Sequence, residues 1–169
     1  IYVGGTGKTP LAIKLYQILN KNRKGVVVGK KFYSSHNDEI NLLKKKVHTL
    51  IKNKRSLIIQ EAIKKNKKII IFDDGLQDKA LKCNLNFVCF DTLNWIGNGN
   101  LIPAGPLREK IESLKKFDAV FLKNISKPNK KIIRKIKKIN PKIKIFNTRY
   151  KILNLNNFSL KEKYLIFSG

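Results

Sequence analysis

The sequence predicts an α/β fold in which a mostly parallel sheet carries helices on both faces. Short apolar, β-branched runs alternate along the chain with segments whose apolar residues recur at helical spacing, the rhythm of parallel strands joined by crossover helices. The chain opens on Ile1-Tyr2-Val3, then passes through Gly4-Gly5-Thr6-Gly7-Lys8-Thr9 into a helical pattern. Its strongest strand, Lys68-Ile69-Ile70-Ile71-Phe72, ends in Asp73-Asp74-Gly75, which sets carboxylates at the carboxyl edge of the sheet, where such folds hold their ligands. Together these observations make the expected fold P-loop NTPase-like.

The first stretch is the expected phosphate cradle. Glycines let successive backbone N–H groups turn inward as an anion nest, and the following helix adds its free N–H groups and the positive end of its dipole. In this reading Gly4, Gly5, Thr6, Gly7, Lys8 and Thr9 bind the nucleotide: Lys8 reaches the outer phosphates and the Thr9 hydroxyl sits on Mg²⁺. Pro10 is tolerated because the first helical turn has no use for its N–H. The usual spacing, G-x-x-x-x-G-K-[ST], wants a glycine where this chain has Tyr2, so these residues alone also fit an ordinary glycine turn. Leu11, Ala12, Leu15, Ile18 and Leu19 on one helical face favour the phosphate loop.

Gly25 to Gly29 reads as a buried strand ending in a turn, and Lys30 to Asn37 as a polar, irregular stretch that converges on the same edge. Asp38-Glu39 open a helix through Ile40, Leu43 and Val47, with acids where the dipole favours them; at this level Asp38 is also readable as an N-cap. His48 to Ile51 is a short strand and Ser56 to Asn66 a helix. Asp73 and Asp74 then fall where a carboxylate holds Mg²⁺ directly or through water, although an apolar run ending in Asp-Asp-Gly also describes a plain strand and turn. Leu85 to Asp91 is the next strand. Trp95 to Glu109, punctuated by glycine and proline, is a shaped loop of a length that tends to bind something. Ile111, Leu114 and Phe117 suggest a short helix, Asp118 to Leu122 a strand, and Ile132, Ile133, Ile136 and Ile139 one face of a lysine-rich helix. Lys142 to Asn147, Tyr150 to Leu155 and Tyr164 to Phe167 are further candidate strands.

Composition narrows the partners. A formal net charge of +26 raises the question of nucleic acid, but the lysines spread over the solvent faces of helices and do not interleave with aromatics as a base-stacking platform requires. No nucleic-acid partner is expected; a solvated basic surface drawn to anionic lipid headgroups is. Cys83 and Cys89 lack the spacing and the companions of a zinc site and read as free thiols. No window reaches the ~18 apolar residues that span a bilayer. With no Met and a strand at position 1, the sequence reads as an internal piece of a longer protein.

Three separated stretches, GGTGKTP at 4–10, DDGLQ at 73–77 and GNGNLIPAGPLRE at 97–109, together resemble the tetraacyldisaccharide 4'-kinase (lipid A 4'-kinase) family, and the resemblance extends over nearly the whole chain. It implies a kinase that transfers the ATP γ-phosphate to the 4'-hydroxyl of a tetraacyldisaccharide 1-phosphate, with ATP and Mg²⁺ as cofactors, the lipid A precursor and the inner-membrane surface as partners, and a peripheral place on the cytoplasmic face of the bacterial inner membrane. Residues 1–169 then form a single P-loop kinase domain, incomplete for want of an amino-terminal membrane helix and a carboxyl-terminal part. The resemblance places Lys8 and Thr9 at the ATP and Mg²⁺ positions, Asp73 and Asp74 at the metal-site carboxylates, Asp38 at the catalytic base, and Arg108 and Glu109 near the substrate. Glu39 is expected to point elsewhere on the helix. The sequence departs from the family in carrying Val28-Gly29-Lys30-Lys31-Phe32-Tyr33 where an Arg-Gly-Tyr-Gly run is common, and Asp78 where His is usual. The alternative is a P-loop ATPase or switch that binds a protein or nucleic acid and phosphorylates no small molecule; such a protein has no evident need of the 97–109 loop.

Overall fold

The computed structural model describes residues 1, 5–22, 25–34, 37–76, 78, 81–124, 127–151, 159 and 163. Its elements run α1 (Lys8–Asn22), β1 (Val26–Lys31), α2 (Asn37–Lys46), β2 (Thr49–Lys52), α3 (Arg55–Lys64), β3 (Ile69–Asp73), β4 (Phe87–Asp91), a 3-10 turn (Ile111–Lys116), β5 (Ala119–Lys123), α4 (Lys130–Ile139) and β6 (Lys144–Thr148). Among the described residues the strands form two three-stranded sheets, ordered β2-β1-β3 and β4-β5-β6. Every pairing is parallel, as the alternation of strands and helices predicts.

Neighbouring valines in β1 explain why helices cover both faces of the first sheet. Successive side chains of a strand point to opposite sides. Val28 packs with Ala12 of α1, Leu43 of α2 and Val47, whereas Val27 packs with Leu50 and with Ile58 and Ala62 of α3. Both valines are fully buried, which is why β1 reads as a continuous apolar run. In the second sheet Val88, Phe90, Val120 and Leu122 join Leu114 of the 3-10 turn and Ile132 and Ile136 of α4 in one core, with Ile1 packed against it. Asn129 caps α4 by accepting from the Ile132 N–H. The opposite face of this sheet carries a row of rings, Phe87 against Phe121 and Phe121 stacked on Phe146 with centroids 5.0 Å apart.

One element differs from the sequence reading. β1 continues past Gly29, its ladder extending through Lys30 opposite Asp73 and Lys31 opposite Lys52. An apolar-run criterion stops at the first lysine, but a lysine whose charge meets a carboxylate across the ladder stays in the sheet. The short helix expected from Ile111 is present as a 3-10 helix over Ile111–Lys116, the tighter coil common in short connectors. Tyr2, Val3, Ile152 to Leu155 and Tyr164 to Phe167, all assigned to strands from sequence, lie outside the described residues, and Tyr150 and Lys151 are not in a strand.

Gly29 sits where β1, α3 and β3 come closest. A Cβ there would lie 2.9 Å from Ile58 Cγ2 and 3.0 Å from Phe72 Cε1. Gly29→Ala should therefore overpack this contact and cost about 1–3 kcal/mol, read as a lower urea midpoint at unchanged slope; an unaltered midpoint contradicts the packing described.

Candidate active site

The glycine-rich loop opens α1 at the carboxyl edge of the sheets. Gly5 and Gly7 have φ of +58° and +86°, the region that glycine enters without penalty, and the helix starts at Lys8 with no acidic residue in its first turn to compete for its N–H groups. Thr6 and Thr9 are buried. Lys8 is half-buried and has no ion-pair partner among the described residues. Gly4 lies outside them.

Two distant motifs meet at one oxygen. The Thr9 hydroxyl donates to Asp73 Oδ2 at 2.9 Å, and the Lys30 ammonium donates to the same atom at 2.8 Å and to Glu39 Oε2 at 2.6 Å. Lys30 and Asp73 are each only 3 % exposed, and buried charges of this kind persist only when paired. Burial alone would push the Lys30 ammonium down, but the Asp73 and Glu39 carboxylates more than reverse this and hold it above the ordinary lysine range. Having donated its only proton, Thr9 Oγ1 offers lone pairs alone to anything on its open side.

The third motif reaches the second through Asp74. This residue has φ of +60°, an uncommon conformation for a non-glycine that Asp tolerates better than most. It is held from two sides: Arg108 Nη1 approaches both carboxylate oxygens at 3.3 and 3.4 Å, and Arg55 Nη2 donates to its carbonyl at 2.6 Å. Arg55 also pairs with Asp78 at 3.3 Å, so Asp78 has a cationic partner here. Internal bonds shape the loop that delivers Arg108: Asn98 Nδ2 donates to the Ala104 carbonyl, Asn98 Oδ1 accepts from the Asn100 N–H, and the Ile102 N–H donates to the Leu107 carbonyl. The Arg108 N–H donates to the Ile1 carbonyl at 2.6 Å, tying the loop to the residue that leads toward the phosphate loop. Glu109 is half-buried beside Arg108 with no hydrogen bond among the described residues.

Asp38 and Glu39 exchange the orientations expected of them. α2 begins at Asn37, so Asp38 lies in the first turn and is not the cap, and it is exposed with no hydrogen bond or ion pair among the described residues. Glu39 turns toward Lys30. Adjacent residues on a helix point about 100° apart, and which of them meets the sheet depends on how α2 docks through Ile40 and Leu43. Sequence reasoning also missed Lys30 and Arg55. Lys30 left a usable signal: a lysine near the end of one strand, set by the parallel register directly opposite the aspartate that ends β3.

A pocket of about 350 Å³ adjoins the loop, lined by Thr6, Gly7, Leu11, Cys89, Phe121 and Tyr150 among others. The Tyr150 hydroxyl lies 3.4 Å from where a Cβ on Gly7 would be, and Lys123 is held between Asp91 at 2.6 Å and the Tyr150 ring. Burial pushes the Cys89 thiol up to about 12. Among the described residues no group of His, Cys, Asp and Glu is large enough to cage a metal alone. The oxygen donors at hand, Thr9, Asp73 and Asp74, fit a hard divalent cation that takes the rest of its shell from phosphate and water.

A glycine-rich loop opening a helix at the carboxyl edge of a parallel sheet, its threonine bonded to the aspartate that ends β3, defines a P-loop NTPase-type α/β protein. The fold is similar to that in the crystal structure of hydrogenase maturation factor HypB from Archaeoglobus fulgidus, with a TM-score of 0.54 over 86% of this chain and 76% of that one; at 15% identity the likeness concerns the fold alone. The chain belongs to the tetraacyldisaccharide-1-P 4'-kinase family, whose profile matches residues 1–166. It is 47% identical to the tetraacyldisaccharide 4'-kinase of Pelagibacter ubique (strain HTCC1062) over all of this chain and 54% of that protein. It is 37% identical to the corresponding enzyme of Jannaschia sp. (strain CCS1), over 71% of this chain and 42% of that protein. The chain thus spans about half the length of the curated relatives it matches.

The two cysteines test the pocket. Iodoacetamide at mildly alkaline pH should modify half-buried Cys83 while Cys89, buried and with its thiol pushed up to about 12, stays intact until far more alkaline pH. Equal labelling by peptide mapping contradicts the burial described.

Proposed function

We propose that residues 1–169 belong to one P-loop kinase domain and that the whole protein transfers the γ-phosphate of ATP to the 4'-hydroxyl of a tetraacyldisaccharide 1-phosphate, the lipid A precursor. The observation that carries this reading is the Thr9–Asp73 contact at 2.9 Å, which joins the glycine-rich loop to the Asp-Asp-Gly motif, with Arg108 on Asp74 adding the loop characteristic of the family.

In this reading the triphosphate lies along Gly4 to Thr9, with Lys8 on its outer phosphates, and the nucleoside enters the pocket between Gly7, Phe121 and Tyr150. Thr9, Asp73 and Asp74 would hold Mg²⁺, and the charge neutralisation at the phosphates would be its contribution. Asp38, at the open end of α2, accepts the proton of the attacking hydroxyl. A solvent-facing carboxylate suits an acceptor that arrives from outside, because the oxygen must reach it before transfer. Arg108 and Glu109 lie on the approach to Asp74 and are assigned to the acceptor. Phosphoryl transfer needs alignment and charge neutralisation above all, and the buried Thr9–Asp73–Lys30 cluster supplies a fixed frame for both.

We also propose peripheral attachment at the cytoplasmic face of the inner membrane, beside the lipid acceptor. Among the described residues no helix is long and apolar enough to cross a membrane. A net charge of +26 favours anionic headgroups, and no nucleic-acid partner is proposed.

The direct test gives the full-length protein γ-labelled ATP and the disaccharide 1-phosphate. Label should enter the organic phase; release of free phosphate alone would favour an ATPase or switch and overturn the kinase. Asp38→Ala should lower kcat by about 10²–10⁴-fold with ATP affinity near that of the parent, and normal turnover by this variant rules out the assigned base. Lys8→Ala should lower kcat/KM for ATP by about 10²-fold or more, and an unchanged value removes Lys8 from the site.

A further inference from the structure

Lys30 enters the reading above only as part of a buried frame, yet among the described residues it is the most buried cation at the site. Its side chain is 4% exposed, it lies one residue before the end of β1 opposite Asp73, and its ammonium donates to Asp73 Oδ2 at 2.8 Å and to Glu39 Oε2 at 2.6 Å. The two acids belong to different elements: Asp73 closes β3, and Glu39 stands in the first turn of α2. Among the described residues this is the one polar side-chain contact between α2 and the strands, the rest of the helix being docked by apolar Ile40 and Leu43. We propose that Lys30 is a positioning residue, its ammonium clamping the first turn of α2, and with it Asp38, against the metal-site carboxylate at the carboxyl edge of the sheet. The proposal rests on the kinase reading for the role of Asp38, while the clamp itself is a claim about structure alone.

The charge arrangement gives the clamp its consequence. Lys30 sits between two carboxylates, so without it they would face each other as like charges. Asp73 cannot move away, since Thr9 holds it and it is buried to 3% exposure. Glu39 can, because its side chain is 51% exposed. Loss of the ammonium should therefore release the first turn of α2 and leave the phosphate loop in place. A lysine suits this role because it reaches along β1 from inside the sheet and offers three donors from one compact charge.

The experiment uses the full-length protein and two independent readouts. In Lys30→Met, amide exchange in the first turns of α2 should speed up about tenfold or more, with α1 and β4 to β6 unchanged. In steady-state assays kcat should fall about 50-fold while KM for ATP stays within about threefold, since the base is displaced and the nucleotide site is not. Lys30→Arg should recover at least a tenth of the parental kcat, and adding Glu39→Gln to Lys30→Met should raise kcat over the single variant by removing the repulsion. Unchanged α2 exchange, a kcat within threefold of the parent, or a loss confined to KM for ATP overturns the proposal. If Lys30→Met fails to fold, Glu39→Gln alone decides: faster α2 exchange supports the clamp and parental exchange overturns it. Should the parent protein phosphorylate no disaccharide, the kinase reading fails and the exchange data still judge the clamp.

Discussion

One carboxylate oxygen, Asp73 Oδ2, receives both the Thr9 hydroxyl and the Lys30 ammonium. An aspartate buried at the end of an apolar strand is costly unless its charge is matched, and both partners are brought to it by the backbone: Thr9 by the start of α1, Lys30 by its register across β1 and β3. The arrangement makes three elements interdependent. Displacing β1 by one residue would remove the cation, and unwinding the first turn of α1 would remove the hydroxyl, each leaving a buried charge short of a partner. The glycine-rich loop is thus fixed to the sheet through the same atom that holds Lys30.

Around this centre the charges are arranged in layers. Next to Asp73, Asp74 turns outward with positive φ and is held by Arg108 and Arg55, cations delivered by the 97–109 loop and by α3. The loop owes its shape to its own hydrogen bonds and its place to the Arg108–Ile1 backbone contact. Farther out, lysines on the exposed faces of α2 and α4 contribute to the net charge of +26 without entering the site. A few buried ions fix geometry, and many exposed ones set the surface potential.

The family relation and the geometry bear on different questions. Matching over residues 1–166 places the chain among the tetraacyldisaccharide-1-P 4'-kinases, while the distances say how this particular sequence builds its site. Lys30 finds two carboxylates, Asp73 and Glu39, and Asp78 finds Arg55. Both are accommodated by charge pairing among the described residues.

Much of this is legible in the residues alone. Alternating apolar runs and helical spacing fix a parallel α/β arrangement because a strand covered on both faces has to be apolar throughout, as Val27 and Val28 are. The loop from Gly5 to Thr9 and the acids at 73 and 74 are legible because glycines before a helix and carboxylates closing an apolar run stand out by residue type alone. What the tertiary structure decided is which charged groups face inward. Lys30 looks like the start of a loop until β3 places Asp73 across from it, and Glu39 looks turned away until α2 docks. Local sequence sets the period of an element but not its rotation about its own axis; that rotation is chosen by packing between segments far apart in the chain, and so the partners of a buried ion appear only once the sheet is assembled.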